Sequence, residues 1–151
     1  MIDLPDLDTL RAKVGQEIAT SDWLTVHQER ISRFADATED HQWIHVDPAR
    51  AATESPFTTT IAHGFLTLSL VSVLLRRTIS FSRFRMAINY GLNRVRFVSP
   101  VPSGSRIRAR FAPGAVEEAG GSVQITWAVT IEREGAERPC CVAEWLVRYY
   151  S

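Results

Sequence analysis

Four runs in the second half of the chain alternate apolar and polar residues: Val95/Phe97, Ile107/Ala109/Phe111, Val123/Ile125/Trp127/Val129/Ile131 and Ala143/Trp145/Val147/Tyr149. A period of two marks strands with one buried face. Pro100-Val-Pro-Ser-Gly104, Gly120-Gly121 and Gly135 supply turns between them. Ahead of these strands, from Ala62 to Thr78, the pattern changes. Phe65, Leu66, Leu68, Leu70, Val71, Val73, Leu74 and Leu75 leave no broad polar face, which predicts a helix wrapped by other elements. One buried helix followed by four long antiparallel strands predicts an α+β fold in which a curved sheet encloses the helix. Its edges and one helix flank need cover, which favours a dimer.

The first sixty residues carry weaker signals. Leu7, Leu10 and Val14 share one side of a short amphipathic helix over Asp6 to Gly15. Gln16 to Val26 reads as a strand. Ile31, Phe34 and Ala35 are at helical spacing in His27 to Thr38, which leads into a loop at Asp40. Asp47-Pro48 is a helix start, an aspartate cap with proline at the first helical position, and predicts a short helix over Pro48 to Thr53. Asp40 and His45 are thereby expected on a tight connection between two helices, in a segment that is neither good helix nor good strand. Ser55 to Thr60 reads as a polar loop.

At 151 residues the chain fits one domain, residues 1–151, with a real core. Seventeen basic and seventeen acidic residues cancel, so nothing indicates a nucleic-acid partner. The arginines nevertheless cluster (Arg76, Arg77, Arg83, Arg85, then Arg94, Arg96, Arg106, Arg108 and Arg110), as a local anion-binding surface requires. The longest apolar segment, Phe65 to Leu75, is too short to span a bilayer. The start, Met1-Ile-Asp-Leu-Pro-Asp6, lacks the features of a secretory signal. Cys140 and Cys141 are neighbours without a third cysteine and read as reduced thiols of a cytoplasmic protein.

Candidate chemistry gathers in two places. Asp40 and His45 stand five residues apart, and their side-chain types commonly move protons near neutral pH. Further on, Ile61-Ala-His-Gly64 opens the apolar helix; a glycine there offers bare backbone N–H groups to a developing negative charge. An acid/base pair with an oxyanion donor suggests an enzyme. Asp40, His41, His45 and Asp47 crowd together but lack zinc-ligand spacing and a Cys or Glu partner, so no metal is expected. His63 reads as a structural residue bonded to a nearby carbonyl, His27 as a surface residue, and Trp43, Trp127 and Trp145 as core or rim packing. No serine nucleophile elbow, phosphate loop or dinucleotide fingerprint is present.

The segment Phe34…Asp40…His45-Val-Asp-Pro48…Ala51-Ala52 resembles the motif of the MaoC-like, hydratase-2 enoyl-CoA hydratases, which have the hotdog fold. Ile61 to Leu70 resembles the start of their central helix, and Asn93-Arg-Val-Arg-Phe-Val-Ser-Pro-Val-Pro-Ser-Gly104 the strand and turn that follow. The likeness runs from about Gln16 to Tyr149 and is closest to single-domain bacterial members, the nodulation-protein-N type among them. The family pattern has glycine where this chain has Glu39, and Asn-Pro where it has Gln42-Trp43.

The resemblance implies (R)-specific hydration of trans-2-enoyl thioesters of CoA or a carrier protein to (3R)-hydroxyacyl thioesters, reversible as dehydration. It assigns Asp40 and His45 to the activated water and the Gly64 N–H to the enolate oxygen. It places substrate against Thr60, Ile61, Ala62 and His63, with Asn89, Phe97, Val98 and Ser99 further along. It implies no cofactor, a homodimer and no membrane partner. Arg94 and Arg96 are candidates for the substrate's handle, and Ser69 or Ser72 for polar spots of an acyl tunnel. Rival readings are a hotdog thioesterase, which usually lacks the Asp-x4-His loop, and a non-catalytic acyl-thioester-binding subunit.

Overall fold

The computed structural model describes residues 2–3 and 7–151; the Asp6 start expected for the first helix lies outside them. In chain order the elements are β1 (Ile2–Asp3), α1 (Leu7–Arg11), β2 (Ala19–Thr20), β3 (Leu24–Thr25), α2 (Gln28–Thr38), α3 (Trp43–Val46), α4 (Pro48–Glu54), α5 (Gly64–Ser69), α6 (Val71–Thr78), β4 (Ile79–Ser80), β5 (Met86–Phe97), β6 (Arg106–Ala119), β7 (Ser122–Arg133) and β8 (Cys141–Tyr150). The main sheet runs β2-β6-β7-β8-β5, with β3 also on β6, and its pairings are antiparallel.

The alternation read from sequence sets which face of this sheet is dry. Val123, Ile125, Trp127, Val129 and Ile131 of β7 are buried, as are Cys141, Ala143, Trp145, Val147 and Tyr149 of β8. Register places Trp127 opposite Trp145. The Trp127 indole N–H donates to the Tyr149 hydroxyl at 3.3 Å, which satisfies the polar handle that a fully buried tryptophan carries. Ala62, Leu66, Leu70, Val71, Leu74 and Leu75 of the helical segment complete the core. A curved sheet enclosing a central helix is the hotdog arrangement, as expected.

The helix departs from expectation in three respects. It begins at Gly64, because Ala62 is held in extended backbone by its N–H bond to the Val101 carbonyl (2.8 Å). It divides at Leu70, where the Ser69 hydroxyl donates to the Leu66 carbonyl (2.8 Å) that also receives the Leu70 N–H (3.1 Å). The Leu74 N–H still reaches the Leu70 carbonyl at 3.0 Å, so the turns continue across the division. Nor is it wrapped on all sides: Phe65 is 71% exposed, and Leu68, Ser72 and Val73 are half-buried.

The expected strand over Gln16 to Val26 is two short pieces. Ser21 interrupts it by accepting the Ala109 N–H on its hydroxyl (2.9 Å), while its own N–H bonds the Ala109 carbonyl (2.8 Å). The expected loop carrying Asp40 and His45 contains a helical turn, α3, and His45 lies on it. The Asp47 cap is present: Oδ1 accepts the Arg50 N–H at 2.9 Å with Pro48 opening α4. Cys140 and Cys141 are free and buried. Among the described residues no helix is long and apolar enough to cross a membrane.

α2 stops at Glu39, which adopts a left-handed backbone, φ 59°. That conformation costs a residue with a Cβ roughly 1–2 kcal/mol, and this is the position where the resemblance calls for glycine. Glu39→Gly is therefore expected to raise unfolding free energy by about 1 kcal/mol, read from the urea midpoint at unchanged slope. A destabilised variant would mean that the Glu39 side chain holds the turn.

Candidate active site

Three segments converge. The turn after α2 carries Asp40, α3 carries His45, and the extended stretch 60–63 leads into α5. That stretch is held by main-chain bonds from Ser103 N–H to the Thr60 carbonyl (2.8 Å), Ala62 N–H to Val101 (2.8 Å) and Ile61 N–H to Ile44 (3.0 Å). The Ile61 carbonyl accepts the His45 Nδ1–H at 2.7 Å. With its proton committed there, a neutral His45 ring carries its lone pair on Nε2.

Residues without a local signal support this placement. Gln28, at the start of α2, donates Nε2–H to the His45 main-chain carbonyl at 2.7 Å. Its Oε1 accepts the Thr60 hydroxyl. One side chain thus ties α2, α3 and the 60–63 stretch together. Gln28 precedes His45 by seventeen residues, and no short motif joins the two, so only the folded chain reveals the link. Thr60 is buried in this bond; it was expected to border substrate.

His63 lies flat against His45, ring centroids 3.8 Å apart and planes 26° from parallel. Its Nε2–H donates to the Asp40 main-chain carbonyl at 2.9 Å, the carbonyl bond expected for this residue, and lies 4.0 Å from Asp40 Oδ2. Phe34 closes over it at 5.0 Å. The carboxylate itself is more than half exposed, whereas His45 and His63 are buried. Burial, the largest influence, pushes the His45 pKa below the ordinary imidazole value; the Ile61 bond raises it, His63 lowers it and Asp40 raises it.

Asp40, His45 and His63 can bring ligand atoms within 4.8 Å of one another. In-plane lone pairs of two stacked imidazoles run side by side and do not converge on one ion, so the arrangement suits a proton-transfer pair better than a metal cage. The sequence grouping with His41 and Asp47 does not assemble: His41 pairs with Asp36 at 2.9 Å, and Asp47 caps α4.

His45, Ile61, Ala62, Gly64, Phe97 and Val101 line a cavity of about 240 Å³, with Val98 and Ser99 on its wall. Gly64 opens α5, where first-turn N–H groups have no intrahelical acceptor. Glycine is required by close approach: a Cβ there would stand 2.8 Å from the Phe97 ring. Asn89 is not brought here. It lines a larger cavity of about 520 Å³ with Arg76, Arg85 and Trp145 at the far end of α6, and a third of about 330 Å³ with Phe65, Ser69 and Ser72. Arg94 and Arg96 are exposed on β5.

Fold and site together define a hotdog protein with a carboxylate and two stacked imidazoles gathered ahead of its central helix. A family model described as MaoC like domain matches residues 9–133. The chain is 54% identical over 143 residues to 3-hydroxyacyl-thioester dehydratase Z of Mycobacterium tuberculosis, 94% of each chain being covered. It is 51% identical over 137 residues to Nodulation protein N of Rhizobium leguminosarum bv. viciae, covering 89% of this chain and 85% of that one. Among solved structures, the (R)-hydratase from A. caviae involved in PHA biosynthesis superposes with TM-score 0.66 at 27% identity, over 88% of this chain and 96% of that chain. The protein belongs to the MaoC-like family.

The depressed His45 pKa has a signed consequence. The unfolded chain binds a proton at His45 near the ordinary value of 6.5 and the folded chain resists it, so this residue's contribution to stability is present above that pH and is lost as pH falls through it. A histidine-resolved NMR titration should place the His45 midpoint below 6.5; a midpoint at or above it would remove the neutral-base description.

Proposed function

We propose that this chain hydrates trans-2-enoyl thioesters to (3R)-hydroxyacyl thioesters, and in reverse dehydrates them, using one water held by Asp40 and His45. The observation that carries this reading is an exposed carboxylate within 4.8 Å of a buried imidazole whose residue lines one cavity with Gly64, the first residue of α5. The names of the relatives, a 3-hydroxyacyl-thioester dehydratase and an (R)-hydratase, support it.

The chemistry follows from the charges. His45, neutral near pH 7, takes a proton on Nε2 as the water oxygen attacks C3, and Asp40 orients that water by accepting its second hydrogen. Electrons of the alkene move to the thioester oxygen, where the Gly64 N–H and the helix dipole meet the developing charge. The proton on His45 is then delivered to C2. One water is consumed, hydroxyl appears at C3 and hydrogen at C2, and the site returns to its starting state without a cofactor. Ile61, Ala62, Phe97, Val98 and Ser99 border the substrate.

The assembly we infer is a homodimer, formed in the cytoplasm by the single domain of residues 1–151. β5 ends the sheet, bonded on one side to β8, and leaves Met86, Ile88, Tyr90, Leu92 and Phe97 exposed beside Phe65. A twelve-residue edge strand with five large exposed hydrophobic side chains is a template for strand addition. Pairing with its counterpart would cover edge and helix flank at once.

Crotonyl-CoA tests the activity: loss of enoyl absorbance without free CoA is expected, whereas thiol release would indicate a thioesterase and silence a binding subunit. Asp40→Asn and His45→Gln should each fold and lose about 10²-fold or more in kcat, and near wild-type turnover in either would overturn its role. Sedimentation should return about twice the 17.0 kDa chain mass, and Leu92→Asp should halve it. A wild-type monomer would rule out the β5 pairing.

A further inference from the structure

Resting on the proton-transfer reading of the site, we propose that His63 is a positioning residue that sets the place of Asp40 and the proton occupancy of His45. Three parts of the proposed site meet at this one residue. Its Nε2–H holds the Asp40 main-chain carbonyl at 2.9 Å, which fixes the carboxylate's root in an otherwise exposed turn. Its ring is the floor on which His45 lies, at 3.8 Å. Its own carbonyl accepts the Thr67 N–H at 3.1 Å, so its backbone caps the helix that begins with Gly64.

Packing alone does not account for an imidazole here. With Nε2 donating to Asp40, Nδ1 keeps a lone pair, and that atom is buried with no hydrogen-bond partner among the described residues. Leaving a polar atom so placed destabilises the fold, whereas an apolar ring of the same shape would fill the space without that penalty. The imidazole supplies what such a ring lacks, a donor for Asp40 and a second site that can be charged. Stacked at 3.8 Å, that second ring opposes a proton on His45, adding to the effect of burial.

The other titratable groups near His45 do not supply this effect. Asp40 raises the His45 pKa, opposing His63. Cys140, across the cavity, is an uncharged thiol whose pKa is pushed up by burial. On the flanking helices, Arg50 pairs with Glu54, Asp36 pairs with His41, and Asp47 caps α4.

Two substitutions separate the two roles. His63→Gln keeps an amide donor for the Asp40 carbonyl and removes the second ionisable ring. His63→Phe keeps a buried ring and removes both donor and charge. In both, the acid limb of the kcat–pH profile for crotonyl-CoA hydration, and the His45 midpoint by histidine-selective NMR, should move to higher pH. His63→Phe should lower the high-pH plateau about 10-fold to 10²-fold further than His63→Gln does, as loss of alignment does. A purely structural residue would lower the plateau equally in both and leave limb and midpoint in place. An unmoved midpoint overturns the proton-sharing half, and a wild-type plateau in His63→Phe overturns the positioning half. The NMR midpoint needs no turnover, so it decides even if wild type fails to hydrate crotonyl-CoA. Should His63→Phe not fold, His63→Asn, whose amide is too short for Asp40, replaces it.

Discussion

The hydrogen bond from His45 Nδ1 to the Ile61 carbonyl, 2.7 Å long, is the constraint on which the rest of the site turns. It joins a helical turn from the first third of the chain to an extended stretch in the middle. That stretch is in turn bonded to the Val101–Ser103 turn that precedes β6. One end of the bond therefore rests on the sheet. The other end selects the tautomer, and with it the nitrogen that keeps a lone pair. Gln28 adds a second tie from α2 to the same turn, so the imidazole is held at both its ring and its backbone.

Around that bond the chain accepts several local departures from its most stable form. Glu39 sits in a left-handed backbone, His63 buries a nitrogen without a partner, and Gly64 meets an aromatic ring too closely for any side chain. All three lie on the segments that carry Asp40 and the first amide of α5. They are not confined to the site, since Thr58 is also left-handed (φ 59°) and Arg133 Nε is also buried without a partner among the described residues. The core opposite offers the contrast: Phe111, Trp127 and Ile131 are fully buried with alternating register and no such compromise.

An isolated protomer leaves one side of the fold open. The β5 edge, Phe65 and the two larger cavities lie together along that side. The cavity beside His45 is smaller and separate, and Phe97, which lines it, packs edge-on against Phe65 at 5.9 Å. Phe97 thus stands between that cavity and the open face.

What the residues alone determined is the part governed by period and by local chemistry. Strict alternation placed β7 and β8 and their buried faces, because a pleated strand admits only two faces. Asp47-Pro48 located the start of α4, because the cap needs only neighbours in sequence. The Asp40, His45 and Gly64 motifs were legible as residue types at a spacing. Tertiary structure decided what no period records: that Ser21 and Ser69 divert backbone bonds and break their elements, that β5 stands exposed at an edge, and that His41 turns away to Asp36. It also decided that Gln28 and His63 grip the site from 17 and 23 residues away. Those contacts are set by where the chain crosses itself, and crossing points depend on the packing of the whole core.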